Sequence, residues 1–293
     1  MHSGSKRRVL AIALMFLGAL GGCANLSAVR TFADETKQLS AAFDPMLAGT
    51  LTSCTDKYIR KKLITSGHFD PVAVETAATE LCAPITEDNK AIVRLNLLLE
   101  QYADTLAALA DDRQASYQAE LDGLAASLGN VRKAGTQDAL VSSDKLNAVT
   151  GLTEFLSRIA TRHLQKEALR ELLNHEAAIK AITEALRDYA TLNYRGWLRD
   201  ERRENEVLYR SLDQSNETLA ANYLKTILMR EDRQAAERDK AIDAFVVSLE
   251  QFQKANAEIR RKFDRLDDKE LVAQLAGYAK EVSRLRRQVQ GAY

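Results

Sequence analysis

Apolar residues recur at three-and-four spacing along almost the whole chain between Val29 and Val289. That period turns one face of an α-helix toward a core. The first stripe is Val29, Phe32, Leu39, Phe43 and Met46, with Thr36 completing it. Asp44-Pro45 interrupts it, giving a cap and a first-turn proline to a second helix over 45–64. Ser66-Gly67-His68 turns the chain, and Asp70-Pro71 repeats the cap-plus-proline start for a short helix reaching Cys82. Pro84 is the last proline, and Thr86 caps a helix striped by Ile92, Leu95, Leu99, Tyr102, Leu106 and Leu109. Leu121, Leu124 and Leu128 extend the pattern, and Asp122-Gly123 within it reads either as helix or as turn.

Gly129-Asn130 ends that element, and 131–142 reads as a loop. From Ser143-Asp144 the stripe drifts through Leu156, Leu169, Ile182 and Tyr189, predicting one helix to about Leu212 with a kink near Gly196. Unbroken, it would measure roughly 105 Å at ~1.5 Å per residue. Asp213-Gln214-Ser215-Asn216 is a polar turn, with Asn216 the expected cap of a helix running from Leu219 to Phe263. Asp267-Asp268 separates a last helix carrying Leu271, Leu275, Tyr278, Val282, Leu285 and Val289. The predicted fold is all-α, an elongated antiparallel bundle of long helices with an N-terminal disulfide-stapled helical hairpin. Residues 1–22 form a leader, and 23–84 form an N-terminal helical segment. That segment is expected to be continuous with the long-helix bundle over 85–293.

Composition narrows the choice of partners. The chain has 41 Lys plus Arg and 41 Asp plus Glu, so its formal net charge is zero. A nucleic-acid ligand normally requires a basic excess or stripe, so none is expected. With 3 Pro and 13 Gly, the chain lacks the turn residues of an all-β sandwich.

Lys6, Arg7 and Arg8 precede an apolar run from Val9 to Leu20, too short to cross a ~30 Å hydrocarbon core and laid out as a secretory signal. Its ending, Leu20-Gly21-Gly22-Cys23, resembles the lipobox of bacterial lipoproteins. The resemblance covers residues 1–23 only. It implies that the Cys23 thiol takes a diacylglyceryl group, that cleavage falls before it, and that its new amino group is acylated. Membrane contact through that lipid follows, since two or three acyl chains anchor stably where one does not. Ala24 stands where inner-membrane lipoproteins of many Gram-negative bacteria have Asp, so the resemblance implies the outer membrane, facing the periplasm. Setting Cys23 aside leaves Cys54 and Cys82. In an oxidising compartment an even pair is expected to form a disulfide; the competing reading is two buried thiols.

Catalytic signatures are missing from the sequence: it has no Gly-rich phosphate loop, no dinucleotide fingerprint and no nucleophile elbow. Neither a catalytic residue nor a cofactor is assigned. No metal site is assigned either, because Ile179 stands where a His175-Glu176 metalloprotease motif needs its second histidine. His163 with Glu167, and Glu171 with His175, read as solvated contacts across one helical turn. The sign-alternating run Arg199–Glu206 reads as an exposed helix face. Lys280, Arg284, Arg286 and Arg287 read as a cationic last turn or as a contact for anionic lipid headgroups or an acidic partner.

Tyr194, Arg195, Trp197 and Arg199 are the candidate partner-binding residues, because Trp, Tyr and Arg are enriched at interface hot spots. The competing reading is a helix crossing, with Gly196 as the contact point and Trp197 as a core plug. The sequence therefore leads to a non-enzymatic, lipid-anchored scaffold or adaptor of the cell envelope, working through a protein partner. A bundle that holds an apolar small ligand between its helices is the alternative.

Overall fold

The structure is a computed structural model that describes residues 21–111, 113–159, 165–266 and 268–293. The leader up to Leu20, His163 and the Cys23 side chain lie outside the described residues. The fold is all-α, built from α1 (Gly21–Ala41), α2 (Asp44–Thr65), α3 (Pro71–Ala110), α4 (Leu124–Leu128) and α5 (Ser143–Ile159). It continues through α6 (Gln165–Leu173), α7 (Glu176–Asp188), a π-helical turn (Tyr189–Tyr194), α8 (Arg195–Ser211), α9 (Thr218–Arg261) and α10 (Lys269–Ala292).

Cross-helix contacts fix the register. Lys37 pairs with Asp104 at 2.7 Å, and Asn96 Nδ2 donates to the Ser40 carbonyl at 3.0 Å, so α3 runs antiparallel to α1. Further along, Asn89 Nδ2 donates to the Leu47 carbonyl at 3.0 Å and Cys54 is bonded to Cys82, so α3 also descends along α2. Two consecutive helices thus share one 40-residue neighbour. Helix α9 descends beside them. Phe252 stacks on Phe32 with centroids 5.3 Å apart, Phe245 stacks on Phe43 at 4.4 Å, and Glu231 reaches Arg60 at 3.0 Å. Its 44 residues span about 66 Å at ~1.5 Å each. The segment α7–α8 ascends against α9, through Glu176–Arg260 at 2.6 Å at one end and Arg202–Asp232 at 2.8 Å at the other.

The core is continuous along this rod. Tyr278 of α10 donates to Thr36 Oγ1 at 3.2 Å, and Tyr102 donates to Asn256 Oδ1 at 2.5 Å. Burial excludes the phenolate form of both rings and pushes their pKa values far above the ordinary tyrosine value. Phe32 and Phe252 stack and Tyr278 packs tilted against both, so the three rings fill the space between α1, α9 and α10.

Several elements differ from the sequence expectation. Pro84 does not end a helix, since α3 runs through it and Thr86 sits mid-helix. Asp70 starts that helix, accepting from the N–H groups of Val72 and Ala73 at 3.0 and 3.2 Å. Pro84 and Glu80 are both exposed, so the carbonyl that a proline leaves without its helical donor faces water. Buried Cys82 and Ile85 pin the helix on either side of Pro84. The turn reading holds at Asp122-Gly123, where Gly123 has φ 72°. The expected 144–212 helix is instead broken into α5 to α8. Helix α5 runs antiparallel to α6 and α7, as Lys145 meets Glu184 at 2.8 Å, Phe155 packs on His175 at 4.9 Å and Arg158 stands 3.8 Å from Glu171, while Asn174-His175 only interrupts the helix between α6 and α7. A single long rod would leave its drifting stripes bare; folding back buries Val149, Leu152 and Leu156 together with Ile179, Ile182 and Leu186. Glu217, not Asn216, occupies the cap position of α9.

Candidate functional site

Helix α8 carries polar side chains into the interior. Leu198, Glu201, Asn205 and Leu208 fall on one face, and all four are buried. The run Arg199–Glu206 is therefore not wholly the exposed face its alternating charges suggested. Its two polar stripe positions enter the interior because the stripe begun by Leu198 continues to Leu208.

Glu201 lies between two arginines. Nη2 of Arg238 donates to its Oε1 at 2.8 Å, and Arg60 Nη1 stands 3.4 Å from the same oxygen. Arg60 also reaches Glu231 at 3.0 Å and Asp56 at 3.3 Å. Burial works against the Arg238 cation, but the Glu201 carboxylate more than offsets it, so the Arg238 pKa is raised. Desolvation, which outweighs the opposing pull of Arg60, raises the Asp56 carboxyl. Beside this cluster the hydroxyls of Tyr194 and Tyr293 are hydrogen-bonded, and burial raises the pKa of each. Glycine at position 49 makes their approach possible. A Cβ there would lie 2.5 Å from Tyr194 Oη and 2.8 Å from Tyr293 Cε1.

Helix α8 also forms an open groove of about 830 Å³ with α9. Leu198, Leu228 and Asn205 lie along its floor, and all three are buried. Neither Oδ1 nor Nδ2 of Asn205 has a hydrogen-bond partner among the described residues. Arginines from both helices line the walls, among them Arg199 of α8 and Arg233 of α9, and both are exposed.

The four candidate partner residues do not make one surface. Tyr194 is buried against Gly49 and Tyr293. Trp197 packs on the disulfide cluster of Cys54, Cys82 and Ile85, with Lys57 Nζ 4.8 Å from the ring centroid. Arg195 and Arg199 face the groove. Arg195 is held by Asp239 at 2.7 Å and by Asp243, whose hydrogen bonds raise its pKa against the opposing effect of burial. Gly196 is not a crossing point, since a Cβ there would meet nothing within 4 Å. The disulfide is present, with Cys54 and Cys82 on consecutive helices. Among the basic residues near the C-terminus, Arg284 pairs with Glu281 at 2.8 Å, Arg286 with Gln38 at 2.5 Å and Arg287 with Ser283 at 3.0 Å.

Asn205 and Arg233 were missed by sequence reasoning, although the i, i+3, i+7, i+10 spacing of Leu198, Glu201, Asn205 and Leu208 marks the first as a stripe position. Among the described residues no group of three His, Cys, Asp or Glu is arranged to hold a metal ion, and no helix is long and apolar enough to cross a membrane. No family model, curated protein or solved structure matches the chain.

Proposed function

We propose that the chain is a lipid-anchored, periplasm-facing scaffold or adaptor lipoprotein of the Gram-negative outer membrane, working by binding a protein partner rather than by catalysis. The observation that carries the reading is the polarity of the rod. Cys23 lies near the start of α1, whereas the groove lies between α8 and α9 toward the opposite end. Along α9, the 20 residues from Phe252, level with Phe32, to Asp232, level with Arg202, measure about 30 Å. The nine residues from Cys23 to Phe32 add roughly 13 Å. An acylated Cys23 would hold the base of the rod at the bilayer and present the groove about 45 Å away, beyond the headgroup layer.

The test is fractionation of cells expressing wild type or Cys23→Ser after feeding labelled palmitate. The expected result is label and outer-membrane recovery for wild type, with both lost in the variant. Equal membrane recovery and no label in either would overturn the reading.

A further inference from the structure

The groove between α8 and α9 holds more positive charge than its own carboxylates neutralise. Of the acids lining it, Asp239 is engaged by Arg195, Asp232 by Arg202, and Glu206 by the neighbouring Arg210. Arg203 leans toward Asp200 at 3.4 Å. Arg199 and Arg233 are left without a carboxylate partner among the described residues. They stand on opposite walls, one on each helix. Arg233 Nε donates to the Met229 carbonyl of its own helix at 3.3 Å, but no carboxylate neutralises either guanidinium, and two such groups facing one open cleft attract carboxylates and bind them through paired N–H donors.

The floor narrows the choice of anion. Leu198 and Leu228 are buried beneath the cleft, and Met229 and Tyr209 offer exposed apolar surface along it. Between them Asn205 keeps both a free donor and a free acceptor in a dry position. A simple anion uses only the donor and an alkyl chain uses neither. The backbone of one residue in an extended segment uses both, offering its carbonyl to Nδ2 and its own N–H, on the same side, to Oδ1.

We infer that this groove receives an acidic peptide segment of a partner protein. One apolar side chain rests on Leu198 and Leu228, flanking carboxylates meet Arg199 and Arg233, and the backbone N–H and C=O of one extended residue pair with Asn205. The inference deepens the adaptor reading and rests on it for the occupant being a protein.

The full chain, extracted from membranes in a nonionic detergent, is titrated against a fluorescein-labelled ten-residue peptide of alternating glutamate and leucine. Anisotropy is the readout, and a peptide with glutamine in place of glutamate is the control. The expected result is saturable binding that weakens with salt, and at least about tenfold weaker binding of the control peptide. The double variant Arg199→Glu/Arg233→Glu is expected to lose about tenfold or more as well. Asn205→Leu separates binding from folding. A ligand-facing amide predicts weaker peptide binding with a thermal midpoint equal to or above wild type, because an unpaired buried amide has been removed. A lowered midpoint would assign Asn205 to the fold and overturn its part in the site.

Equal affinity for both peptides, or no effect of the double charge reversal, would overturn the proposal. So would capture of phosphatidylglycerol vesicles by Cys23→Ser that depends on Arg199 and Arg233 and is accompanied by no response to the peptide. That outcome would make the groove a lipid-binding surface. Acyl content of the same preparation is read by mass. An acylated chain that ignores the peptide sinks the groove proposal alone, and an unacylated chain that binds it sinks the anchor alone.

Discussion

Nη2 of Arg238, on α9, donates to Oε1 of Glu201, on α8, at 2.8 Å, and only 1% of the Glu201 side chain is exposed. Arg60 of α2 approaches the same carboxylate at 3.4 Å, so one acid joins three helices. Burying ions is costly, and such a cluster is tolerated only while its charges offset one another. Glu201→Ala would leave Arg60 and Arg238 facing each other across a cavity. It is expected to lower the free energy of unfolding by about 3 kcal/mol or more. Urea denaturation checks this, and a change below ~1 kcal/mol would show that the cluster contributes little.

Close approach at Gly49 gives an independent test of how α2, the π-helical turn and the C-terminus meet. Alanine in a helix interior normally stabilises relative to glycine by roughly 0.5–1 kcal/mol. Here its Cβ would overlap the hydroxyl of Tyr194 and the ring of Tyr293. Gly49→Ala is therefore expected to destabilise by about 1–3 kcal/mol. Adding Tyr194→Phe removes the nearest atom, so the double variant should regain part of the loss. A double-mutant cycle that is additive would contradict the packing.

The Cys54–Cys82 bond closes a loop across a sequence separation of 28 residues. Closing a loop of that size constrains the unfolded chain by about 3–4 kcal/mol in the entropy model. Cys54→Ser/Cys82→Ser is expected to lose stability of that order. The same loss should follow when wild type is treated with reductant, while the double variant should not respond. Thermal melts with and without reductant distinguish the cases.

His175 supplies a pH dependence with a defined sign. Its ring packs on Phe155, and burial lowers its pKa from the ordinary 6.5, with Arg158 acting in the same direction and Glu171 opposing. The unfolded chain therefore binds a proton that the folded chain refuses. Stability is intact above pH 6.5 and falls as the pH drops below it toward the folded value. His175→Phe keeps an aromatic ring on Phe155 and should reduce the dependence between pH 7.5 and 5.5. Thermal midpoints across that range, compared with wild type, provide the check.

Local periodicity made most of the secondary structure legible. Asp70-Pro71 starts α3 as the sequence indicates, and Asp268 caps α10 by accepting from Glu270 and Leu271. Periodicity did not show where a long pattern folds back on itself. The return of α6 and α7 along α5 follows from burying their stripes against each other, a gain that exists only between elements. Pro84 misled for the same reason, since its local cost is offset by exposure of the freed carbonyl and by the disulfide two residues away. At the site, Arg195 and Arg199 were legible as residue types suited to an interface. Glu201 and Asn205 were not, because a buried carboxylate depends on partners more than 30 residues distant in Arg238 and more than 100 in Arg60.

In the proposed reading, lipid attachment at Cys23 would give the rod its base and the groove its distance from the membrane. Intact-mass spectrometry of the protein extracted from washed membranes tests it most directly. The account expects a chain that begins at Cys23 and is heavier than its amino acids by a diacylglyceryl group and an N-linked acyl chain. A chain that retains Met1 and carries no fatty acyl group would contradict it.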